Sequence, residues 1–256
     1  MAHQSLSDQE RFLMSCQKVI SLDYERNSIG LLKEKTLHAV LKDYFDPHPE
    51  NQEVKLGGYV ADIVGENGVV EIQTSNFGNL RKKLPAFLEV CPVTVVYPVD
   101  RIKWLCWIDP ETGAVSKRRR SPKKGNLYDG FREFYQIRQW LLHPNLTVRV
   151  LFLETEEYRY LNGWSRDKKR GSVRCDRIPL GLLEEVSLCS VQDYLSWLPE
   201  TLPDQFTVKD LAKGAGISDR CAQWVISVYK SAGLIVQIGK RGKAYLYTVN
   251  GKNDVL

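Results

Sequence analysis

The stretch that constrains this chain most is Val60 to Thr74, V-A-D-I-V-G-E-N-G-V-V-E-I-Q-T. Asn67-Gly68 is a strong signal for a tight hairpin, because both residues tolerate the positive φ of a type I′ turn. Two short strands are therefore expected to meet across Gly65-Glu66-Asn67-Gly68. Side chains alternate along a strand with a period of two, so an even loop puts Asp62, Glu71 and Gln73 on one face. Two registers are open. A two-residue loop sets Asp62 opposite Gln73 and diagonal to Glu71, whereas a four-residue loop from Gly65 to Gly68 sets Asp62 directly against Glu71. Ala61, Ile63, Val70 and Ile72 take the other face and point into a core. Two carboxylates side by side repel each other, and a hard divalent cation bound through oxygen relieves that repulsion.

A chain of 256 residues with 43% apolar content can bury one substantial core and a smaller one. No apolar run reaches the length of a membrane span. The opening M-A-H-Q-S-L-S-D-Q-E lacks the basic-then-apolar order of a secretion signal, so a cytoplasmic protein with no membrane partner is expected. The six cysteines stand apart, with no C-x-x-C and no histidine at zinc spacing, and read as reduced core residues. The net charge of +5 is modest but unevenly placed. Lys117 to Lys124 carries six basic residues and no acid, and Arg166 to Arg177 carries six against Asp167 and Asp176. Two such runs in a chain that also has an acidic cluster favour a polyanionic partner, since neutralising phosphate is the main sequence-independent source of nucleic-acid affinity. Lys117, Arg118, Arg119, Arg120, Lys123 and Lys124 are the candidate phosphate contacts of the first run.

Taken in order, Ser7-Asp8-Gln9-Glu10 has the form of a capping box before a helix reaching Ile20. A second helix is expected over Ser28 to Phe45, with Leu37, Val40, Leu41 and Tyr44 on one stripe and Glu34 on that same stripe. Glu53 to Val64 and Val69 to Thr74 read as the hairpin strands. Ser75-Asn76 is expected to cap a helix from Phe77 to Val90, and Pro92 to Val99 is a buried strand. Ile102 to Ile108 and Ala114 to Lys117 form a second hairpin leading into the basic loop. A helix over Leu127 to Leu142 and a strand over Leu146 to Leu153 follow, then an irregular basic segment from Glu154 to Ile178. Past that point the pattern changes to three short helices, Val191 to Leu198, one opened by Thr207, and one from Ser218 to Ala232. Strands Leu234 to Ile238 and Ala244 to Val249 then flank Gly239-Lys240-Arg241-Gly242-Lys243. This is a winged-helix layout, in which Cys221, Trp224, Val225, Val228 and Tyr229 face the core. Arg220, Gln223, Ser227 and Lys230 remain outside, and Arg220 and Gln223 join Lys240, Arg241 and Lys243 as candidate DNA contacts.

Glu34 on a helix, Asp62 on the next strand and Glu71-Ile72-Gln73 on the strand after it resemble the PD-(D/E)XK nuclease superfamily, over roughly Ser28 to Val99. The resemblance implies an α/β fold with a restriction-endonuclease-like mixed sheet flanked by helices over residues 1–185, followed by a winged-helix DNA-binding domain over 186–256. It implies magnesium, or manganese, held by Asp62, Glu71 and the backbone carbonyl of Ile72, with Glu34 in or beside the coordination shell. It also implies metal-assisted hydrolysis of a DNA phosphodiester, and a homodimer wherever both strands are cut. Gln73 stands where the superfamily usually has lysine. Glutamine positions water but brings no charge, so a cation is expected from Lys35, Lys55 or Lys82. The alternatives are acids that merely pair with Lys55, Arg81 or Lys83 in a plain structural hairpin, a nuclease-fold protein that binds DNA without cutting it, and RNA as substrate.

Overall fold

The computed structural model describes residues 6–26, 36–163 and 173–251. Helix α1 (Asp8–Arg26) begins with the expected capping box: Ser7 N–H donates to Glu10 at 2.8 Å and Glu10 N–H donates back to the Ser7 hydroxyl at 3.3 Å. Helix α2 (Thr36–Phe45) follows. Glu34, Lys35 and the start of the expected second helix lie outside the described residues.

The single strand expected over Glu53 to Val64 is two strands, β1 (Gln52–Leu56) and β2 (Tyr59–Gly65), paired antiparallel. Gly57 and Gly58 cause the break, with φ of 57° and 82°, a left-handed pair that lets the chain reverse between them. Strand β3 (Gly68–Ile72) then runs back along β2. Ser75-Asn76 does not cap a helix: Asn76 sits at φ 57° without a capping hydrogen bond, a single 3-10 turn follows, and α3 spans Leu80–Leu88.

The largest departure concerns strand length. Pro92 to Val99 and Ile102 to Ile108 are one strand, β4 (Val93–Ile108), so the second hairpin is reduced to a lone bridge between Ile108 and Val115 and the short β5 (Arg119–Arg120). The helix expected over Leu127 to Leu142 is a series of tight turns around α4 (Phe131–Phe134). In the segment read as irregular the described residues are mostly sheet, because β6 (Leu146–Tyr160) and β7 (Arg174–Leu188) extend into it from both sides. A boundary at 185 falls inside β7.

The strand order is β1-β2-β3-β4-β6-β7, with β5 beside the far half of β4. The pairs β3–β4 and β4–β6 are parallel and the others antiparallel, so the sheet is mixed. One face is covered by α1 and α2 through Phe12, Leu37, Val40 and Leu41, against Ile63, Ile72, Val96 and Leu151. The other is covered by α3 and α4, and its core continues without a break into the C-terminal helices. Those helices are α5 (Val191–Leu195), α6 (Val208–Ala215) and α7 (Asp219–Ser231), followed by the antiparallel strands β8 (Ile235–Arg241) and β9 (Ala244–Val249). The protein is thus an α/β fold with helices on both faces of a large mixed sheet. None of its described helices is long and apolar enough to cross a membrane.

Candidate functional site

The hairpin register pairs Gly65 with Gly68, Val64 with Val69 and Ile63 with Val70. This is the second of the two open registers, the one in which Asp62 faces Glu71. Gly68 is fixed there by its surroundings, since a Cβ at this position would lie 2.1 Å from the Pro92 carbonyl oxygen. That carbonyl instead accepts the Val69 N–H at 2.9 Å, which starts β3 against β4. At the other end of the hairpin the Asp62 carboxylate accepts the Ile72 N–H at 2.7 Å.

Four titratable side chains from four elements converge here. His38 of α2 places Nε2 3.4 Å from Asp62 Oδ2. Lys83 of α3 places Nζ 2.5 Å from Glu71 Oε2 and also donates to the Val60 carbonyl at 3.3 Å. Glu71 is fully buried and ion-paired with Lys83 through Oε2, with no further aligned hydrogen bond to either carboxylate oxygen among the described residues. A buried carboxylate in that condition is costly unless something else binds it.

The two acids are driven in opposite directions. Burial first, then the negative charge of Asp62, push the Glu71 carboxyl up to about 7, while Lys83 pulls the other way. Burial also works against ionisation of Asp62, yet the hydrogen bond and charge of His38, the Ile72 N–H and the Lys83 charge together outweigh it and hold Asp62 below the usual carboxylate range. Pairs of groups forced apart in this way mark sites that manage charge or protons.

The Glu71 shift has a consequence for stability. Below its ordinary value of 4.5 the carboxyl is protonated both folded and unfolded. Between 4.5 and about 7 the unfolded chain has released the proton while the folded chain retains it, so stability falls as pH rises. The interval corresponds to about 3 kcal/mol at most. Urea unfolding of the parent and Glu71→Gln across pH 4.5 to 7.5 is expected to show the variant gaining on the parent as pH rises. A constant difference across that range would place the Glu71 carboxyl in its ordinary range.

Of the other expected residues, Ile72 is buried in the core beneath α1 and α2 and Gln73 is half-buried, with its N–H bonded to the Val96 carbonyl at 2.9 Å. Val70 is only half-buried, and Ala61 joins the core on the α3 side. Lys55 and Lys82 are exposed, and the lysine that reaches the acid pair is Lys83. Sequence reasoning weighed it only as a structural partner, although its place three residues past Leu80 on an amphipathic helix is a readable sign that it faces inward. Among the described residues no group of three or more His, Cys, Asp and Glu is arranged to hold a metal.

The basic candidates divide. Lys117, Arg118, Arg119, Arg120, Lys123 and Lys124 are all exposed, with Arg118 stacked 4.4 Å over Trp104. In the second basic run, Arg177 is buried against Asp100 and the exposed Arg174 pairs with Glu157, each at 3.3 Å, while 166–170 lie outside the described residues. Arg220 and Gln223 are exposed on α7. Cys221 and Trp224 are half-buried and turn toward the sheet unit, where Cys221 Sγ donates to the Tyr128 carbonyl at 3.3 Å and Trp224 lies 4.9 Å from the Tyr135 ring. Lys240, 5.1 Å above the Tyr245 ring, and Lys243 are exposed. Arg241 is tied back to Asp210 at 3.2 Å and to the Gln205 carbonyl at 3.1 Å, which leaves it less charge to offer a phosphate.

A family profile described as "Domain of unknown function (DUF8091)" matches residues 35–189. The chain belongs to the DUF8091 family. The DUF8091 stretch begins one residue before α2 and ends one residue past β7, so it contains the whole large sheet together with Asp62, Glu71 and Lys83. Over 231 residues the chain is also 33% identical to an uncharacterized protein of Treponema pallidum (strain Nichols), an overlap covering 89% of this chain and 90% of the other. No solved structure matches.

Proposed function

We propose that this DUF8091 protein is a metal-dependent DNA endonuclease of the PD-(D/E)XK kind, carried to DNA by a winged-helix module built from α5 to β9. One observation supports the reading above the others: a fully buried Glu71, ion-paired with Lys83 through one oxygen, faces a carboxylate that its neighbours keep ionised. Asp62, Glu71 and the Ile72 carbonyl, with Glu34, would hold Mg²⁺ or Mn²⁺, and two carboxylates set face to face at the end of the hairpin are the feature that fits such an ion. A divalent cation bound there supplies a water of lowered pKa and neutralises charge on the phosphate.

The chain's own groups do the rest. Asp62 keeps its negative charge through His38 and the Ile72 N–H, so it is ready to ligate at neutral pH. Lys83 brings to this pair of acids the positive charge that glutamine at 73 lacks, and it can stabilise charge that develops on a phosphate. Gln73 can orient a water but not activate it. The exposed cations of the Lys117 to Lys124 loop, with Arg220, Gln223, Lys240 and Lys243, would meet backbone phosphates.

The Lys83–Glu71 contact supports a second reading, in which the internal ion pair replaces the metal and the protein binds DNA without cutting it. Incubating supercoiled plasmid and branched oligonucleotides with Mg²⁺ or Mn²⁺ separates the two. Cleavage by the parent that is lost in Asp62→Ala and Glu71→Ala is expected. No cleavage of any DNA form would leave only the binding reading, and equal cleavage by the variants would mean that Asp62 and Glu71 are not the cutting site.

A further inference from the structure

A cleft of about 650 Å³ opens between the sheet unit and the start of α7. One wall includes Thr74, the residue after Gln73, together with Tyr97, Val99 and Asp100 of β4. The opposite wall includes Ser218, Arg220, Cys221 and Trp224. The charges lining it are not equally available. Asp100 is bound by Lys103 at 2.6 Å and by Arg177 at 3.3 Å. Asp129 closes a capping box with Asn126, and Glu133 accepts the Phe77 N–H at 2.9 Å. The acids are thus engaged within the fold. Lys123, Arg132 and Arg220 are exposed and have no ion pair among the described residues, and they come from three different elements. The half-buried aromatic residues Tyr128 and Trp224 line the same cleft.

We infer that this cleft binds unpaired nucleotides of single-stranded DNA, with phosphates on Lys123, Arg132 and Arg220 and bases against Trp224 and Tyr128. Its volume matches sites that hold a ligand of nucleotide size. Cations interleaved with aromatic rings are the general chemistry of single-strand binding, in which stacking accepts any base and the charges follow the backbone. Because Thr74 lines the cleft just past the end of β3, a strand held there would run beside the end of the hairpin that carries Glu71. The inference rests on the nuclease reading and specifies its substrate: DNA with a single-stranded end, flap or junction.

The test is fluorescence anisotropy of labelled dT12 and of a blunt duplex with the full-length protein in EDTA, so that binding is read without metal or cleavage. Arg132→Glu is compared with Lys209→Glu, which reverses the same charge at an exposed position of α6 outside the cleft, and thermal midpoints confirm that both variants fold. The parent is expected to bind dT12 at least tenfold more tightly than the duplex. Arg132→Glu is expected to weaken dT12 binding at least tenfold, and Lys209→Glu less than threefold. Equal effects of the two variants, or a parent that prefers the duplex, would overturn the inference. Failure of the nuclease reading looks different: dT12 is held and lost on Arg132→Glu, but no DNA is cut in Mg²⁺ or Mn²⁺.

Discussion

Glu71→Ala is expected to lower metal-dependent cleavage on the order of a thousandfold, about 4 kcal/mol of transition-state stabilisation, which is what a ligand of a charge-stabilising metal contributes. The substitution also breaks the ion pair to Lys83, which keeps the Val60 carbonyl as a partner, so each variant's urea midpoint is read beside its rate. Asp62→Ala should lose as much activity and also some stability, because the Ile72 N–H then lacks its 2.7 Å acceptor. Asp62→Asn keeps an acceptor for that N–H and should recover the stability without the activity. Lys83→Met should cost roughly a hundredfold, the scale for removing one preorganised stabilising group. Rates of plasmid nicking, together with urea midpoints for each variant, check the set. If Lys83→Met cuts at the parental rate, the missing lysine of the motif is supplied from elsewhere.

The second large effect is expected far from the acids. Phe131 is fully buried on α4, with ring centroids 5.4 Å from Phe134, 6.0 Å from Tyr128 and 5.5 Å from Tyr229 of α7. It therefore joins the sheet unit to the C-terminal helices within one continuous core. Phe131→Ala should cost about 3 to 5 kcal/mol, the range for a buried aromatic replaced by a cavity. Because the core is shared, urea unfolding of the parent should be a single transition that the variant shifts as a whole. Two separate transitions in the parent, with only one moved by the substitution, would mean that the two units fold independently.

How legible this molecule was in its sequence depended on whether the signal was local. The hairpin could be read because a glycine-bounded turn and alternation are local, and the structure chose the register that sets Asp62 against Glu71. Its turn falls on Glu66-Asn67, with Asn67 outside the positive-φ region, and not on Asn67-Gly68. The caps at Ser7 and Thr207 were legible for the same reason, and so were the helices and the basic hairpin that follow residue 190. The long strands were not. In β6 and β7, Glu154, Glu157, Arg174 and Arg177 give the composition of a loop. Glu157 is nevertheless fully buried, because Lys103, Arg159 and Arg174 close on it from three strand positions. Charges neutralised across strands look exposed in a single sequence. The turn at Gly57-Gly58 was passed over for a different reason: a continuous apolar rhythm on both sides hid a two-glycine reversal. At the site, the acids were visible as exceptions to alternation. His38 and Lys83 come from other elements, and only the fold brings them to Asp62 and Glu71.

Mn²⁺ binding followed by electron paramagnetic resonance, without DNA, bears most directly on the claim that the Asp62–Glu71 pair is a metal site. One saturable Mn²⁺ per chain is predicted in the parent, tightening as pH rises toward the Glu71 value of about 7, where its carboxyl gives up the proton that competes with the ion. Glu71→Ala and Asp62→Ala should abolish that binding. A parent that binds no Mn²⁺ at millimolar concentration, or variants that bind it equally well, would contradict the account.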